Sequence, residues 1–420
     1  MQVARIHNNP KLGYYRVGQE IFYSKPAAFI RATETKQIPE WRFNTVGFAR
    51  VDWTVEPATN LRELYRQRAQ QLRDRYDYIR IECSGGGDST TAVFAFLLND
   101  IHLDEIVFRY PKKGENGVTN DAFNTNANNT LSEFQFAAQP LLNWVKTKFP
   151  KTVVRIHDFS ENMLNEESTR DESWVFQTQH WFQPAHHDKY NQFAVAEHRA
   201  LADSGRSICV LLGIDKPRLA LINGDWYTYF TDVQGSAAHP VVGDYTNITN
   251  EYFYWTPDFP EIVMKQSHMI KTWFELPQNQ HLLHLVKLLS VGNVVAHRTT
   301  YEHIAKSIIY PDYDLATWQT NKPTNSFYNE MDTWFYKNFR ETRLYSAWEA
   351  GLAYLVNKID PALLAYELGQ AVGLKHQNSH FYHLGAAKSV PITAKFDNSQ
   401  QFNTQEITVL KDRKIQRMFV

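Results

Sequence analysis

Residues 83–90 read Cys-Ser-Gly-Gly-Gly-Asp-Ser-Thr and combine three adjacent glycines with hydroxyl side chains and one carboxylate. Glycine has no Cβ atom, so backbone N–H groups can converge on one space. The apolar run that follows predicts a helix beginning near Ser89, whose first N–H groups and positive dipole end would face that space. This pattern favours phosphate or pyrophosphate. The residues expected to bind it are Ser84, Gly85, Gly86, Gly87, Asp88, Ser89 and Thr90.

Asp88 has a particular role inside this loop, because its negative charge disfavours direct contact with a phosphate. We expect it to orient backbone amides, cap the helix or help to hold Mg²⁺. The loop lacks the lysine of a Walker A sequence, and its glycines lack the Gly-x-Gly-x-x-Gly spacing of a dinucleotide fingerprint. A plain strand-to-helix turn is the alternative, but one glycine would suffice for it.

A second polar group follows another apolar run, where the sequence reads LLGIDKPR. Gly213 and Asp215 are candidates for a nucleotide and magnesium site, and Lys216 and Arg218 could neutralise phosphate charge. We expect Asp88, Asp215 and Lys216 to be catalytic, and Asp88 and Asp215 to hold the metal. The alternative is a solvated ion pair between one acid and two bases.

Weaker candidates lie elsewhere in the chain. Arg109 ends an expected strand and could contact the adenine or ribose of a nucleotide, or be an ordinary surface residue. Asp225 and Asp232 could contact a metal or substrate. A histidine-rich stretch fits no zinc spacing and is more simply a loop over the site. Its histidines are His180, His186, His187 and His198.

The segments around these candidates alternate between strand and helix patterns. Strands are expected at residues 78–83, 105–110, 152–159 and 208–215. Helices are expected at residues 89–99, at 131–149 with an interruption near Pro140, and at 191–205. The alternation predicts an α/β fold with a doubly wound, mostly parallel sheet. Ligands bind at the carboxyl ends of such strands, where both polar groups lie.

Three regions are expected along the chain. Residues 1–59 contain aromatic and β-branched runs, which predict a small β-rich N-terminal piece. Residues 60–238 form the α/β domain, and residues 239–420 predict a mainly helical C-terminal domain. Its helices are expected near residues 259–276, 280–309, 329–359 and 360–374, with one short strand at 405–410.

The sequence Ser-Gly-Gly-Gly-Asp-Ser, placed between a strand and a helix, resembles the PP-loop of the N-type ATP pyrophosphatases. These belong to the adenine nucleotide α-hydrolase-like group, whose nucleotide domain is HUP-like. The resemblance covers residues 78–232. The preceding amphipathic helix is similar to the start of the synthetase domain of asparagine synthetases.

The resemblance implies ATP and Mg²⁺ as cofactors and cleavage of ATP between its α and β phosphates. A substrate oxygen would attack the α-phosphorus, which gives an adenylated intermediate and pyrophosphate held in the loop. A nitrogen or sulfur nucleophile would then displace AMP. Such a reaction depends on positioning and on cations that spread the charge of the leaving group.

Features of several family members are missing. Residue 2 is Gln2, so we expect no glutaminase with an N-terminal cysteine nucleophile, although an inactive relic of such a domain could account for the β-rich residues 1–55. The two cysteines, Cys83 and Cys209, cannot supply a four-cysteine zinc tail or a sulfur relay. We therefore expect an amide or carbon–nitrogen ligase that joins a small-molecule acceptor to ammonia or an amine. Two alternatives stay open: an enzyme that modifies a nucleobase, tRNA or DNA, similar to 7-deazaguanine synthases or thiolases, and a non-catalytic ATP-binding protein.

Charge and composition limit the partners. Lys and Arg number 44 against 45 Asp and Glu, so a strong overall field for nucleic acid or a membrane is not expected. No signal peptide and no apolar run of about 20 residues is present in the sequence. Two reduced, buried cysteines are typical of a cytoplasmic protein. The 14% of aromatic residues could form a large core or a homo-oligomer interface. A local exception to the neutral charge is the basic helix that carries Arg62, Arg66, Arg68, Arg73 and Arg75.

Overall fold

The structure is a computed structural model of the chain. It describes residues 10–117, 134–158, 160, 175–176, 196–232, 245–286, 300–310, 330–367 and 379–388. The strands are β1 Tyr14–Val17, β2 Glu20–Phe22, β3 Glu40–Arg42, β4 Tyr78–Glu82, β5 Glu105–Tyr110, β6 Val153–Asp158, β7 Ile208–Leu212, β8 Arg218–Ile222, β9 Asp225–Thr231, β10 Ile248–Tyr252 and β11 Ser379–Ala386.

The α-helices are α1 Lys25–Thr35, α2 Thr45–Phe48, α3 Leu61–Arg75, α4 Gly87–Leu97, α5 Gln139–Lys148, α6 Ala196–Asp203, α7 Glu261–Glu275, α8 Glu302–Ile309, α9 Glu330–Phe339, α10 Arg343–Lys358 and α11 Pro361–Glu367. Short 3-10 segments lie at Pro10–Leu12, Lys112–Gly117 and Pro277–Val286, and a π segment lies at Phe134–Ala138.

The central sheet has five strands in the order β10-β7-β4-β5-β6, and every neighbouring pair is parallel. The predicted α/β fold with a parallel sheet is therefore confirmed. From β4 the chain adds β5 and β6 on one side, then returns to add β7 and β10 on the other. The direction of strand addition thus reverses between β4 and β7, which is where open α/β sheets form ligand crevices.

Helices cover both faces of this sheet. Ile79 and Ile81 of β4 lie in the large core on the face that α3 and α4 contact. Their neighbour Tyr78 points to the other face, where it packs with Ile208 and with Ala202 of α6. The predicted double winding is consistent with this two-sided cover.

Most expected elements of this domain lie within two or three residues of their predicted bounds. The strand β5 matches its prediction, and β7 ends three residues early, at Leu212. The helix α4 begins at Gly87, two residues before the expected start. Pro140 lies in the first turn of α5, directly after the π segment, so the expected interruption is present.

The region after residue 238, predicted to be mainly helical, also contains two strands that the sequence did not indicate. The strand β10 pairs with β7 beyond the expected boundary at residue 238, and β11 pairs with β9 near the end of the described chain. The sequence of β10, Ile-Thr-Asn-Glu-Tyr, conceals the strand because Glu251 is polar. Glu251 is nevertheless buried, because Arg68 of α3 lies 3.3 Å from its carboxylate.

The N-terminal region contains the antiparallel sheet β2-β1-β3, as expected, together with an unexpected helix. Ser24 caps α1 by accepting a hydrogen bond from the N–H of Ala27 at 3.3 Å. The second aromatic run, near residues 43–55, forms the short helix α2 rather than a strand. Its Phe48 and Trp53 pack edge to face in the core, 5.7 Å apart.

A third sheet, β11-β9-β8, is antiparallel and joins the α/β region to the far end of the described chain. The helices α7 to α11 agree with the expected helical character of the C-terminal region. The predicted strand at residues 405–410 lies outside the described residues. Within the described part of the chain, no helix has the length and apolar character required to cross a membrane.

Candidate active site

The glycine loop lies at the carboxyl end of β4, beside the point where strand addition reverses. The Ser89 hydroxyl accepts a hydrogen bond from the Ser84 N–H at 3.2 Å and donates one to the Gly86 carbonyl at 3.2 Å. The helical ladder starts with the bond from Thr90 N–H to the Gly86 carbonyl, at 2.9 Å. The N–H groups of the preceding turn therefore stand at the positive end of the α4 dipole.

Two glycines of the candidate set are required by close backbone packing. Gly85 has a φ of +72°, and a Cβ atom there would lie 2.6 Å from the backbone nitrogen of Ala138. A Cβ atom on Gly213 would lie 2.8 Å from Ser89 Cα. Gly213 thus lets the segment after β7 pack directly against the first turn of α4. The structure brings the two predicted polar groups together.

Lys216 joins these two groups. Its Nζ atom lies 3.0 Å from Asp215 Oδ1, 3.5 Å from Asp88 Oδ2 and 3.4 Å from Glu302 Oε2. The Lys216 side chain is only 7% exposed. A single buried ammonium group therefore contacts three carboxylates from three separate segments of the chain.

Burial alone would lower the pKa of Lys216, but the carboxylates of Asp215, Asp88 and Glu302 outweigh it and raise that pKa above its usual value. The lysine therefore stays charged at neutral pH. It suits charge stabilisation and cannot serve as a general base.

Three residues of α8 and its surroundings complete the site and were not predicted from the sequence. Glu302 contacts Lys216, as described. Lys306 is almost fully buried, and its Cδ atom lies 3.5 Å from where a Cβ atom on Gly87 would stand. Tyr310 donates a hydrogen bond to Asp88 Oδ1. The spacing of Glu302 and Lys306 places both on one helix face, but nothing in that pattern indicates which loop the face contacts.

Asp88 is held by two tyrosines as well as by Lys216. The Tyr254 hydroxyl donates to the Asp88 backbone carbonyl at 2.6 Å, and Tyr310 donates to its carboxylate. Burial and then the Asp88 charge raise the pKa of Tyr310 well above its usual value, so its hydroxyl remains a donor. Asp88 is consequently fixed in position at the start of α4.

Other tyrosines anchor the segments that carry these groups. The Tyr301 hydroxyl donates to the Pro217 carbonyl at 2.9 Å and accepts from the Leu219 N–H at 3.0 Å. The Tyr65 hydroxyl of α3 donates to the Ile309 carbonyl at 2.6 Å. The segment 301–310 is thus pinned at one end to the strand after Lys216 and at the other to α3.

The hydroxyl group of Thr90 lies where a bound ligand could serve as its hydrogen-bond partner. Its Oγ1 atom is buried and has no hydrogen-bond partner among the described residues. A buried hydroxyl without a partner is costly, because its interaction with water is lost and not replaced. A phosphate oxygen would be a suitable acceptor.

The fit of Mg²⁺ depends on two carboxylates. No group of three or more His, Cys, Asp or Glu side chains within the described ranges is arranged to hold a metal. Mg²⁺ commonly takes one or two carboxylates together with substrate phosphates and waters. Asp88 and Asp215, which share Lys216 as a neighbour, supply that number of carboxylates, and their role in holding Mg²⁺ stays a prediction.

The other candidates among the described residues contact groups other than Lys216. Arg109 donates two hydrogen bonds to Glu82, at 2.9 and 3.3 Å, and its role in binding a nucleotide stays a prediction. Asp225 lies 3.3 Å from His383. Asp232 is buried with Lys25, 3.3 Å away. His180, His186 and His187 lie outside the described residues, as does the side chain of His198.

The basic helix α3 has its arginines engaged within the molecule. Arg66 pairs with Glu63, Arg68 with Glu251, Arg73 with Asp104 and Arg75 with Asp258. These ion pairs reduce the positive charge that α3 offers to a nucleic acid.

A search of family models, curated proteins and solved structures found no match to this chain.

Proposed function

We propose that the protein is an ATP-dependent ligase that splits ATP into AMP and pyrophosphate and forms an adenylated intermediate. The observation that carries the proposal is the junction between Asp88 and Lys216, 3.5 Å apart, where strand addition reverses in a parallel sheet. At that junction, a glycine-rich helix start meets a buried cation. The HUP-like PP-loop domain suggested by residues 84–89 belongs to the same proposal.

In the proposed reaction, the loop of residues 84–90 holds the β and γ phosphates. A carboxylate oxygen of the acceptor attacks the α-phosphorus, and the bond to the bridging oxygen breaks, so pyrophosphate leaves with the electron pair. Lys216 stabilises the negative charge that develops on the leaving group. Mg²⁺, held by Asp88 and Asp215, would supply further charge neutralisation.

A nitrogen nucleophile then completes the reaction. Ammonia or an amine attacks the carbonyl carbon of the acyl adenylate, and the carbon–oxygen bond to AMP breaks. The nitrogen loses a proton to water, and the products are an amide and AMP. The Lys216 ammonium group is unsuited to accept that proton, because three carboxylates keep it charged.

The test uses the purified chain with ATP, Mg²⁺, pools of carboxylic acids and ammonia, and it measures pyrophosphate release. We expect one pool to stimulate release, and we expect Asp88→Asn and Ser84→Ala to reduce it by at least about 100-fold. The matched control is Asp74→Asn, which removes an exposed carboxylate that accepts a hydrogen bond from Gln70 on α3. Normal release by Asp88→Asn, or equal loss in the control, would contradict the assignment.

A further inference from the structure

The segment after β7, which carries Asp215 and Lys216, continues into β8, whose first residue is Arg218. Burial is the largest influence on the pKa of Arg218, yet Tyr229, Asp215 and Glu302 together raise it. The guanidinium group is therefore charged and lies beside the site. Its side chain is only partly buried. Among the described residues, none accepts a hydrogen bond from that guanidinium group.

This situation differs from that of every other arginine discussed above. Arg68, for example, is buried and donates to the Tyr252 carbonyl at 2.8 Å. Arg109 donates twice to one carboxylate. A charged guanidinium group that is half enclosed and has no acceptor among the described residues is suited to bind an anion, and its planar fork matches a carboxylate.

An aromatic row extends from Arg218 across the antiparallel sheet. Tyr229 is the direct partner of Arg218 in the β8–β9 register, and Phe381 of β11 is the partner of Tyr229 on its other side. The Tyr229 and Phe381 rings are stacked, with centroids 5.2 Å apart. Tyr227 and His383 continue the row, with ring centroids 5.3 Å apart.

The row is accessible. Tyr227, Tyr229 and Phe381 are each half-buried, and His383 is exposed. Alternate residues of the same strands, such as Trp226 and Phe230, form the core face. The aromatic row thus lies on the outer face of the sheet, and it begins at Arg218, two residues after Lys216.

We propose that Arg218 and the aromatic row form the acceptor subsite, and that the acceptor is a flat, conjugated carboxylic acid. Arg218 binds the carboxylate, and the ring system of the acid lies against Tyr229 and Phe381. This places the carboxylate next to Asp215 and Lys216, where the α-phosphorus of ATP would lie. The inference rests on the proposed function for its link to adenylation, but the binding itself needs no turnover.

The experiment is isothermal titration calorimetry of the full chain with three probes: indole-3-carboxylate, its neutral analogue indole-3-carboxamide, and aspartate as an aliphatic acid. We expect the conjugated acid to bind at least about tenfold more tightly than either of the others. Arg218→Met and Phe381→Ala should each weaken its binding by at least about tenfold, and Arg218→Lys should weaken it less. The matched control is Arg206→Met, at the opposite end of β7.

ATP titrated into the same variants separates the alternatives. We expect the affinity for ATP to change by less than about threefold in Arg218→Met. Loss of ATP affinity with unchanged acid binding would assign Arg218 to the phosphates and overturn the subsite. Equal binding of aspartate, or no binding of the conjugated acid, would also overturn it. Acid binding without pyrophosphate release would leave the subsite standing and contradict the proposed ligase.

Discussion

Tyr310 donates a hydrogen bond from its hydroxyl to the carboxylate of Asp88, although 222 residues separate them in the chain. The contact ties the end of α8 to the start of α4 and lies directly beside the Lys216 cluster. The glycine loop is therefore contacted by a distant segment of the chain, which the sequence around the loop does not indicate.

Removing this hydroxyl tests its role. Tyr310→Phe leaves the ring in place and removes the donor, so Asp88 loses one of its fixed contacts. We expect a loss of about 1 kcal/mol in unfolding free energy and at least about a tenfold drop in pyrophosphate release. The matched control is Tyr336→Phe, which removes a hydroxyl that donates to Glu349 at 2.7 Å on the exposed surface. Unchanged release by Tyr310→Phe would show that this contact only stabilises the fold.

Lys216 offers a test of electrostatics. Lys216→Met leaves Asp88, Asp215 and Glu302 near one another without their shared cation. We expect a loss of about 3 kcal/mol in unfolding free energy, measured by chemical denaturation, together with loss of pyrophosphate release. Adding Glu302→Gln should recover part of the stability and none of the activity, because it removes one repelling charge without restoring the cation.

The surface provides a comparison for that experiment. Lys11→Met breaks an ion pair with Asp258 at 2.8 Å, where the Lys11 side chain is 42% exposed. The cost there should stay below about 1 kcal/mol. Equal losses in Lys216→Met and Lys11→Met would contradict the view that Lys216 balances a buried cluster.

A substitution at Gly213 tests the packing between the segment after β7 and the start of α4. In Gly213→Ala, the new Cβ atom would lie 2.8 Å from Ser89 Cα and 3.0 Å from Ser89 N, so the backbone must shift. We expect at least about a tenfold loss of ATP affinity by calorimetry, with the fold retained. Gly205→Ala is the control: its site has a φ of +82° and open space around it, so it should cost stability but leave ATP binding unchanged.

We expect the unfolding free energy to decrease as the pH is lowered from about 7.5 to about 5.5. His268 donates from Nε2 to the Trp53 carbonyl, and His380 donates to the Trp41 carbonyl. Burial lowers the pKa of each histidine despite that carbonyl. As pH falls through about 6.5, the unfolded chain therefore takes up protons that the folded chain does not, and the unfolding free energy decreases.

Denaturation curves at several pH values measure this effect. Each unit of pKa shift corresponds to about 1.4 kcal/mol. His268→Gln keeps a donor for Trp53 and should reduce the slope of stability against pH in this window. Carboxyl groups with lowered pKa values change the stability only at lower pH. Hydrogen bonds from Arg66 and Gln67, for example, lower the pKa of Glu63 to about 2. An identical slope in His268→Gln would show that burial of this histidine does not set the pH dependence.

Local patterns predicted four of the five strands of the central sheet, β4 to β7, and the place of the glycine loop. The run from Tyr78 to the glycines encodes its own strand, turn and helix start, because apolar alternation and glycines act over a few residues. The meeting of Lys216 with Asp88 followed from the rule that strand ends in a parallel sheet share one edge.

The remainder of the site depends on tertiary contacts that no local pattern encodes. Tyr310 and Lys306 reach the loop only because Tyr65 and Tyr301 fix the ends of their segment. The strand β10 was missed because Glu251 reads as a surface residue, and its burial requires Arg68 of a distant helix. A sequence shows that such a residue is charged, but it does not show the partner that offsets the free-energy cost of burying it.

The central claim is tested most directly by determining which bond of ATP is broken in the proposed reaction. ATP labelled in its α-phosphate is incubated with the full chain, Mg²⁺, conjugated carboxylic acids and ammonia, and the labelled product is separated. We predict labelled AMP in amounts equal to the pyrophosphate released, and at least about 100-fold less AMP from the Asp88→Asn variant. Labelled ADP with free phosphate would contradict cleavage between the α and β phosphates, and with it the proposed ligase.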